Sequence, residues 1–373
     1  MTGKETAVKA FFLRHKKLHI WLLAELCLLA AFFLTRGRRA WMNALAGRVT
    51  TPLRRALGAL CSRVRFSVAE ALCVLLVIFV LVYVIAAVIA VIRGKGRRGR
   101  RLYGAVLGAA CVALTIYGGF CFLWGVDYYT DSFQQRSGIY AQDVAADDLY
   151  RVTAYFAEQL NASAGAVPRD GEGRFDESRT EILRQAPQVY DALTEQFPFL
   201  AFDDRVPKAI HFSRVMSRLD FTGFYCPFTG ESNLNMDSPA CLLPATAAHE
   251  LAHQRSISSE QECNFLAVLS CTTSGMDDYA YSGWLLGYIH LGNALYRADR
   301  DRWKEVYGTL SGDVRADLDQ NNAYWKQFQH SAARKVSNKV YDSFLKGYGE
   351  TAGLQSYGTV VDLLVAYYRN RLA

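Results

Sequence analysis

Residues 244–271 read PATAAHELAHQRSISSEQECNFLAVLSC, and how their pentapeptide His249-Glu250-Leu251-Ala252-His253 is read decides the fold of the C-terminal half. On a helix, positions i and i+4 share a face, so His249 and His253 present imidazole nitrogens to one point. Such a pair suits a divalent transition metal, zinc before others. Glu250, beside the first histidine, is placed to take a proton from metal-activated water and return it to a leaving amine. With seven histidines in 373 residues, chance supplies such a pentapeptide on the order of one time in a hundred. The competing reading is a surface helix with an i,i+4 pair, and the flanks count against it. Thr246, Ala247, Leu251, Ala252 and Gln254 are uncharged. Arg255 departs from that pattern, and with the polar run SISS (256–259) it predicts a helix that ends soon after His253.

Two carboxylates compete to be the third ligand, Glu260 and Glu262, and no third histidine stands at HExxHxxGxxH spacing. A second helix is predicted from SEQECNFLAVLSC. Ser259 and Glu262 have the S-x-x-E spacing of a capping box, which engages Glu262 with backbone amides. Glu260 is therefore the expected ligand and Glu262 the alternative. Glu260 and Asn264 lie four apart on one face, so Asn264 is expected to steady a ligand histidine. Tyr357, in SYGTVVDLL, is a candidate for stabilising an oxyanion, against the plainer reading of a packed residue near a helix N-terminus. His290, in GYIHLGNAL, reads as a core histidine. The expected cofactor is one Zn2+ ion.

The segment HELAHQ…EQECNFLAVL resembles the glutamate zincins whose second motif reads ExEAN or ExxAD. These include CAAX-prenyl-protease-type membrane peptidases, antirepressor-type peptidases and β-lactam sensor receptors. The longer pattern is similar to an uncharacterised bacterial family of three-span membrane proteins, a domain of unknown function. It runs through LWGVDYY, FTGFYCPFTGESNLN, LPATAAHELAHQ, ECNFLA and SYGTVVDLLVAYY. The resemblance implies a zincin-like fold and no particular substrate. Where those families have Ala-Asn or Ala-Asp, this chain has Cys263-Asn264, so the group steadying the histidine is neutral here.

Upstream, FSVAEALCVLLVIFVLVYVIAAVIAVI (66–92) and LYGAVLGAACVALTIYGGFCFLWGV (102–126) are long enough to span a bilayer. LHIWLLAELCLLAAFFLT (18–35) is a shorter third span; a signal peptide is disfavoured because no small-residue cleavage site follows. The basic run RGKGRRGRR between the second and third spans, and the acidic stretch after the third, place the N-terminus inside and the C-terminal half outside the cytoplasmic membrane. Eight arginines in the first loop (36–65) run against that orientation, and an amphipathic helix along the membrane surface would accommodate them. The net charge of +7 is largely juxtamembrane and does not argue for nucleic acid. Of nine cysteines, none shows finger-like spacing, and Cys226 and Cys241 are candidates for a disulfide on the outer face.

The expected architecture is thus an α-helical three-span region (1–127) followed by a mainly α, zincin-like α+β metallopeptidase domain with a small sheet (128–373). Residues 206–235 should supply two or three short strands; GFYCPFTGESNLN is placed to give either an edge strand for an extended substrate or an ordinary hairpin packed on the helix. The expected partners are the bilayer and a peptide or protein substrate. The expected activity is zinc-dependent peptide hydrolysis in water, since the HExxH segment is too short and polar to lie within the membrane. The alternative is a zincin-like sensor without turnover. A purely structural zinc, which normally has four protein ligands, ranks last.

Overall fold

The computed structural model describes residues 11–348 and 357–372, apart from the side chain of Tyr357. Helices α1 (Lys16–Thr35), α2 (Arg39–Leu45), α3 (Thr51–Cys61), α4 (Val68–Ile92) and α5 (Arg98–Leu123) form the first third of the chain. Of these, α1, α4 and α5 are long and apolar enough to cross a membrane. On α4, Leu75, Val77, Leu81, Val82 and Ile85 are all exposed. A continuous apolar surface of this kind is stable in lipid, not in water.

The chain divides into two compact units, one holding residues up to Thr50 together with Val68–Thr130, the other Thr51–Ser67 together with Asp131 onward. In the first unit α1 packs along α5. Glu25, inside α1, accepts hydrogen bonds from Thr115 Oγ1 at 2.8 Å and Trp21 Nε1 at 3.2 Å. Polar groups in hydrocarbon need such partners on neighbouring helices.

In the second unit come α6 (Phe133–Ser137), α7 (Ala146–Ala164), α8 (Arg179–Gln185), α9 (Asp191–Gln196), β1 (Lys208–Ile210), α10 (Ser213–Arg218), β2 (Gly223–Cys226) and β3 (Glu231–Asn235). They are followed by α11 (Leu243–Gln254), α12 (Glu260–Thr273), α13 (Asp277–Ala298), α14 (Arg300–Gly308), α15 (Gly312–Lys326), α16 (Ala332–Gly347) and α17 (Tyr357–Tyr368). The sheet is small and mixed, in the order β1-β3-β2. β1 runs parallel to β3, with Lys208 opposite Asn233, and β2 runs antiparallel, with Gly223 opposite Leu234 and Cys226 opposite Glu231. All five residues of β3 are buried, as its central position demands, whereas β2 is an edge strand. The core gathers around α7, α11, α12 and α13. At Gly287 of α13 a Cβ would stand 2.2 Å from the Phe156 ring, so only glycine admits this approach of α7.

One expectation is revised here, the disulfide, and the packing of α3 is added. α3 packs in the second unit through Arg54, which is only 2% exposed, while its Leu53 and Leu60 remain exposed. A Cβ on Gly58 would come within 2.9 Å of the Gly230 carbonyl, so two glycines let α3 meet the β2–β3 turn backbone to backbone. Residues 51–67 therefore pack with the C-terminal residues. Cys226 and Cys241 are not joined in the expected disulfide: Cys241 is buried in the main core, while Cys226 closes β2 and is half-buried.

Candidate metal centre

Helix α11 opens with Pro244 in its first turn, where a missing amide costs nothing. It closes at Gln254, and Ser256 then takes a positive φ of 65° that turns the chain back toward α12. The early stop signalled by Arg255 is real. Arg255 itself is buried, ion-paired with Asp204 and laid over the Tyr190 ring at 3.7 Å.

The helical spacing brings the His249 and His253 rings together, with centroids 4.9 Å apart. Glu260, at the start of α12, faces both: its Oε2 is 3.1 Å from His249 Nε2 and its Oε1 is 3.6 Å from His253 Nε2. The far sides of the rings are held as well. His249 Nδ1 meets Asn264 Oδ1 at 3.0 Å, and His253 Nδ1 meets the Ile257 carbonyl at 2.8 Å. A carbonyl only accepts, so His253 carries its proton on Nδ1 and turns a lone pair on Nε2 toward Glu260.

Electrostatics sharpen this picture. Burial pushes His253 down to about 4, keeping it neutral. Burial also works against a charge on His249, but its hydrogen bond to Glu260 and the Glu260 charge outweigh it and lift His249 to about 9. Burial likewise opposes the charge on Glu260, yet His253, His249 and Tyr341 hold it down at about 2. Glu260 thus hydrogen-bonds His249 at 3.1 Å and turns its other oxygen toward the Nε2 lone pair of His253 at 3.6 Å. Zinc with bonds of about 2.0–2.2 Å in tetrahedral geometry sets neighbouring ligand atoms about 3.3 Å apart. The observed 3.1 and 3.6 Å bracket that separation. The donor set fits.

Glu262 is engaged elsewhere. Its carboxylate accepts from the backbone N–H groups of Phe133 (2.8 Å) and Gln134 (3.1 Å) and from Gln134 Nε2 (3.3 Å), at the N-terminus of α6. The Ser259 side chain makes no cap bond, so the expected capping box is absent; Glu262 serves a neighbouring helix, not its own. Cys263 lies within reach of both histidines, but its sulfur approaches His253 Nδ1 at 3.3 Å, on the face already bonded to Ile257.

Glu250 is 4% exposed, and its Oε2 has no hydrogen-bond partner among the described residues. Gly223, the first residue of edge strand β2, makes room for it: a Cβ there would stand 2.6 Å from Oε1. Burial raises this carboxyl to about 8, with His249 pulling it down and Glu260 pushing it up. A cleft of about 520 Å3 opens beside His249 and Glu260, walled by Phe221, Thr222, His290, Trp325 and Tyr341 among others. His290, read from sequence as a core residue, faces this cleft as an imidazole that burial lowers to about 4.

Tyr341 was not legible in the sequence. Its hydroxyl donates to Glu260 Oε1 at 2.5 Å from α16, 81 residues downstream. The available signal was weak: Arg334, Asn338 and Tyr341 fall at i, i+4 and i+7 on one face of α16, and all three line the cleft. The Tyr357 side chain lies outside the described residues.

No curated protein and no solved structure matches the chain. Residues 48–365 match the family described as protein of unknown function (DUF3810), and the chain belongs to that family.

Proposed function

We propose that the chain is a membrane-anchored, zinc-dependent metallopeptidase of zincin-like design. The observation that carries this reading is the convergence of His249 Nε2, the lone pair of His253 Nε2 and the Glu260 carboxylate beside a cleft. His249, His253 and Glu260 would hold the ion, and when bound it supplies an acidified water and polarises a carbonyl. Asn264 and the Ile257 carbonyl fix the ring orientations. Tyr341 fixes Glu260. Glu250, in a water-poor niche against Gly223, would have to be ionised to act, a form that the charge of a bound ion would favour; as a carboxylate it would take the proton released in the attack onto Oε2 and deliver it to the leaving nitrogen. β2, at the sheet edge, is suited to align an extended peptide next to Glu250.

The orientation argued from the basic run between α4 and α5 belongs to the same proposal. Two spans separate Ser67 from Asp131, which returns the chain to one side, in keeping with the packing of α3 among C-terminal residues. The arginines that ran against this orientation are partly engaged: Arg54 is buried, and Arg55 donates to the Ala201 carbonyl at 3.1 Å.

Elemental mass spectrometry of the full chain in detergent tests the reading. We expect about one zinc per chain, lost in Glu260→Ala, with peptide-library cleavage that disappears in Glu250→Gln. Stoichiometric zinc without any cleavage would favour the sensor alternative. A folded wild type that binds no zinc would overturn both.

A further inference from the structure

We infer that α3, from the loop between the first two spans, completes the metal centre, with Arg54 as a positioning residue for His253. This rests on the reading of His249, His253 and Glu260 as metal ligands. Arg54 Nη2 donates to Ser256 Oγ at 2.6 Å and to Thr51 Oγ1 at 3.2 Å, and the two hydroxyls are 2.8 Å apart. Ser256 is the residue with φ of 65°, an unfavourable backbone state for a side-chain-bearing residue that persists only where the surroundings enforce it. The next residue, Ile257, supplies the carbonyl that fixes the His253 tautomer. A chain of contacts therefore runs from guanidinium to hydroxyl, to the turn, to the carbonyl, to the imidazole.

The seat of α3 is close-packed. Gly58 and Gly230 bring its backbone against the β2–β3 turn, and a Cβ on Gly230 would stand only 2.3 Å from the Arg54 carbonyl. Arg54 thus enters the site from a segment that chain connectivity places directly between two membrane spans. The metal centre is composite: residues far apart in sequence and separated by two spans must dock before His253 is held for binding.

The test uses the full chain in detergent: wild type, Arg54→Ala, Arg54→Lys, Ser256→Gly and the exposed control Arg63→Ala. Zinc affinity is read by chelator competition, and hydrogen exchange is read on the metal-free protein over residues 253–262. Partners that orient a ligand histidine are worth about 10–100-fold in metal affinity, and one acting through a turn belongs at the lower end. Arg54→Ala should weaken zinc about tenfold and speed exchange at 253–262, leaving α7 and α13 protected; Arg54→Lys should recover part of both. Ser256→Gly keeps the backbone conformation and removes the hydroxyl, so it should reproduce the effect even where Arg54→Ala folds poorly. Unchanged zinc affinity overturns the inference, and so does unchanged exchange at 253–262. Should wild type bind no zinc, the peptidase reading falls, and exchange alone decides whether Arg54 holds the turn.

Discussion

Glu260 and Glu262 stand two positions apart and have unrelated tasks. Glu260 looks across at two imidazoles, while Glu262, 2% exposed, caps α6 through three donors. Glu262→Ala should leave about one zinc per chain yet lower stability by about 2–4 kcal/mol, because hydrogen bonds to a charged group are lost from a buried site. Thermal melting beside metal analysis separates the two effects. A second residue gives a pH signature away from the centre. Burial pushes Asp278 up to about 6 against its backbone hydrogen bonds, and its Oδ2 has no hydrogen-bond partner among the described residues. A carboxyl raised on folding contributes stability that is full below its unfolded value and is lost as pH rises through the folded one. Stability should therefore fall between about pH 4 and 6, and Asp278→Asn should flatten that slope and gain up to about 2 kcal/mol at pH 7. Urea melts across this range check it.

Among elements, α11 was the most legible, because a helix repeats every 3.6 residues and so fixes which side chains share a face. His249 and His253 needed nothing else to be paired. The stop after Gln254 was also readable, from a basic residue and a polar run. α16 was the opposite case. Its Tyr341 carries no motif, and its value comes from ending up 2.5 Å from a carboxylate 81 residues away. The basic-apolar pattern of α3 suits an amphipathic surface helix, and Leu53 and Leu60 do stay exposed, but the pattern does not say what its Arg54 and Gly58 face meets. That face packs by Gly58 meeting Gly230, a tertiary fact. Gly230 also has φ of +66°, so Gly230→Ala combines backbone strain with a collision against Arg54 and should cost about 2–4 kcal/mol. Melting of the detergent-solubilised protein measures it, and a loss below about 0.5 kcal/mol, the level of an ordinary surface change, would rule out the tight α3 docking.

At the scale of the whole molecule, metal binding and folding should be linked. An ion that binds the folded state adds about 2.7 kcal/mol at a hundred times its dissociation constant. Chelation should therefore lower the melting temperature of the wild type and leave that of Glu260→Ala unmoved, as differential scanning calorimetry would register. Sequence by itself determined the three apolar spans, the mainly helical C-terminal half with its small sheet, and the pairing of His249 with His253. Those features arise from local periodicity and from the length of apolar chain needed to cross lipid, both written in consecutive residues. Tertiary structure alone decided the rest: that Glu260 faces the histidines while Glu262 caps α6, that Tyr341 reaches Glu260, and that residues 51–67 pack beside the turn after α11. Each of those contacts joins groups from different elements. No spacing along the chain encodes a distance between residues that meet only when their elements pack.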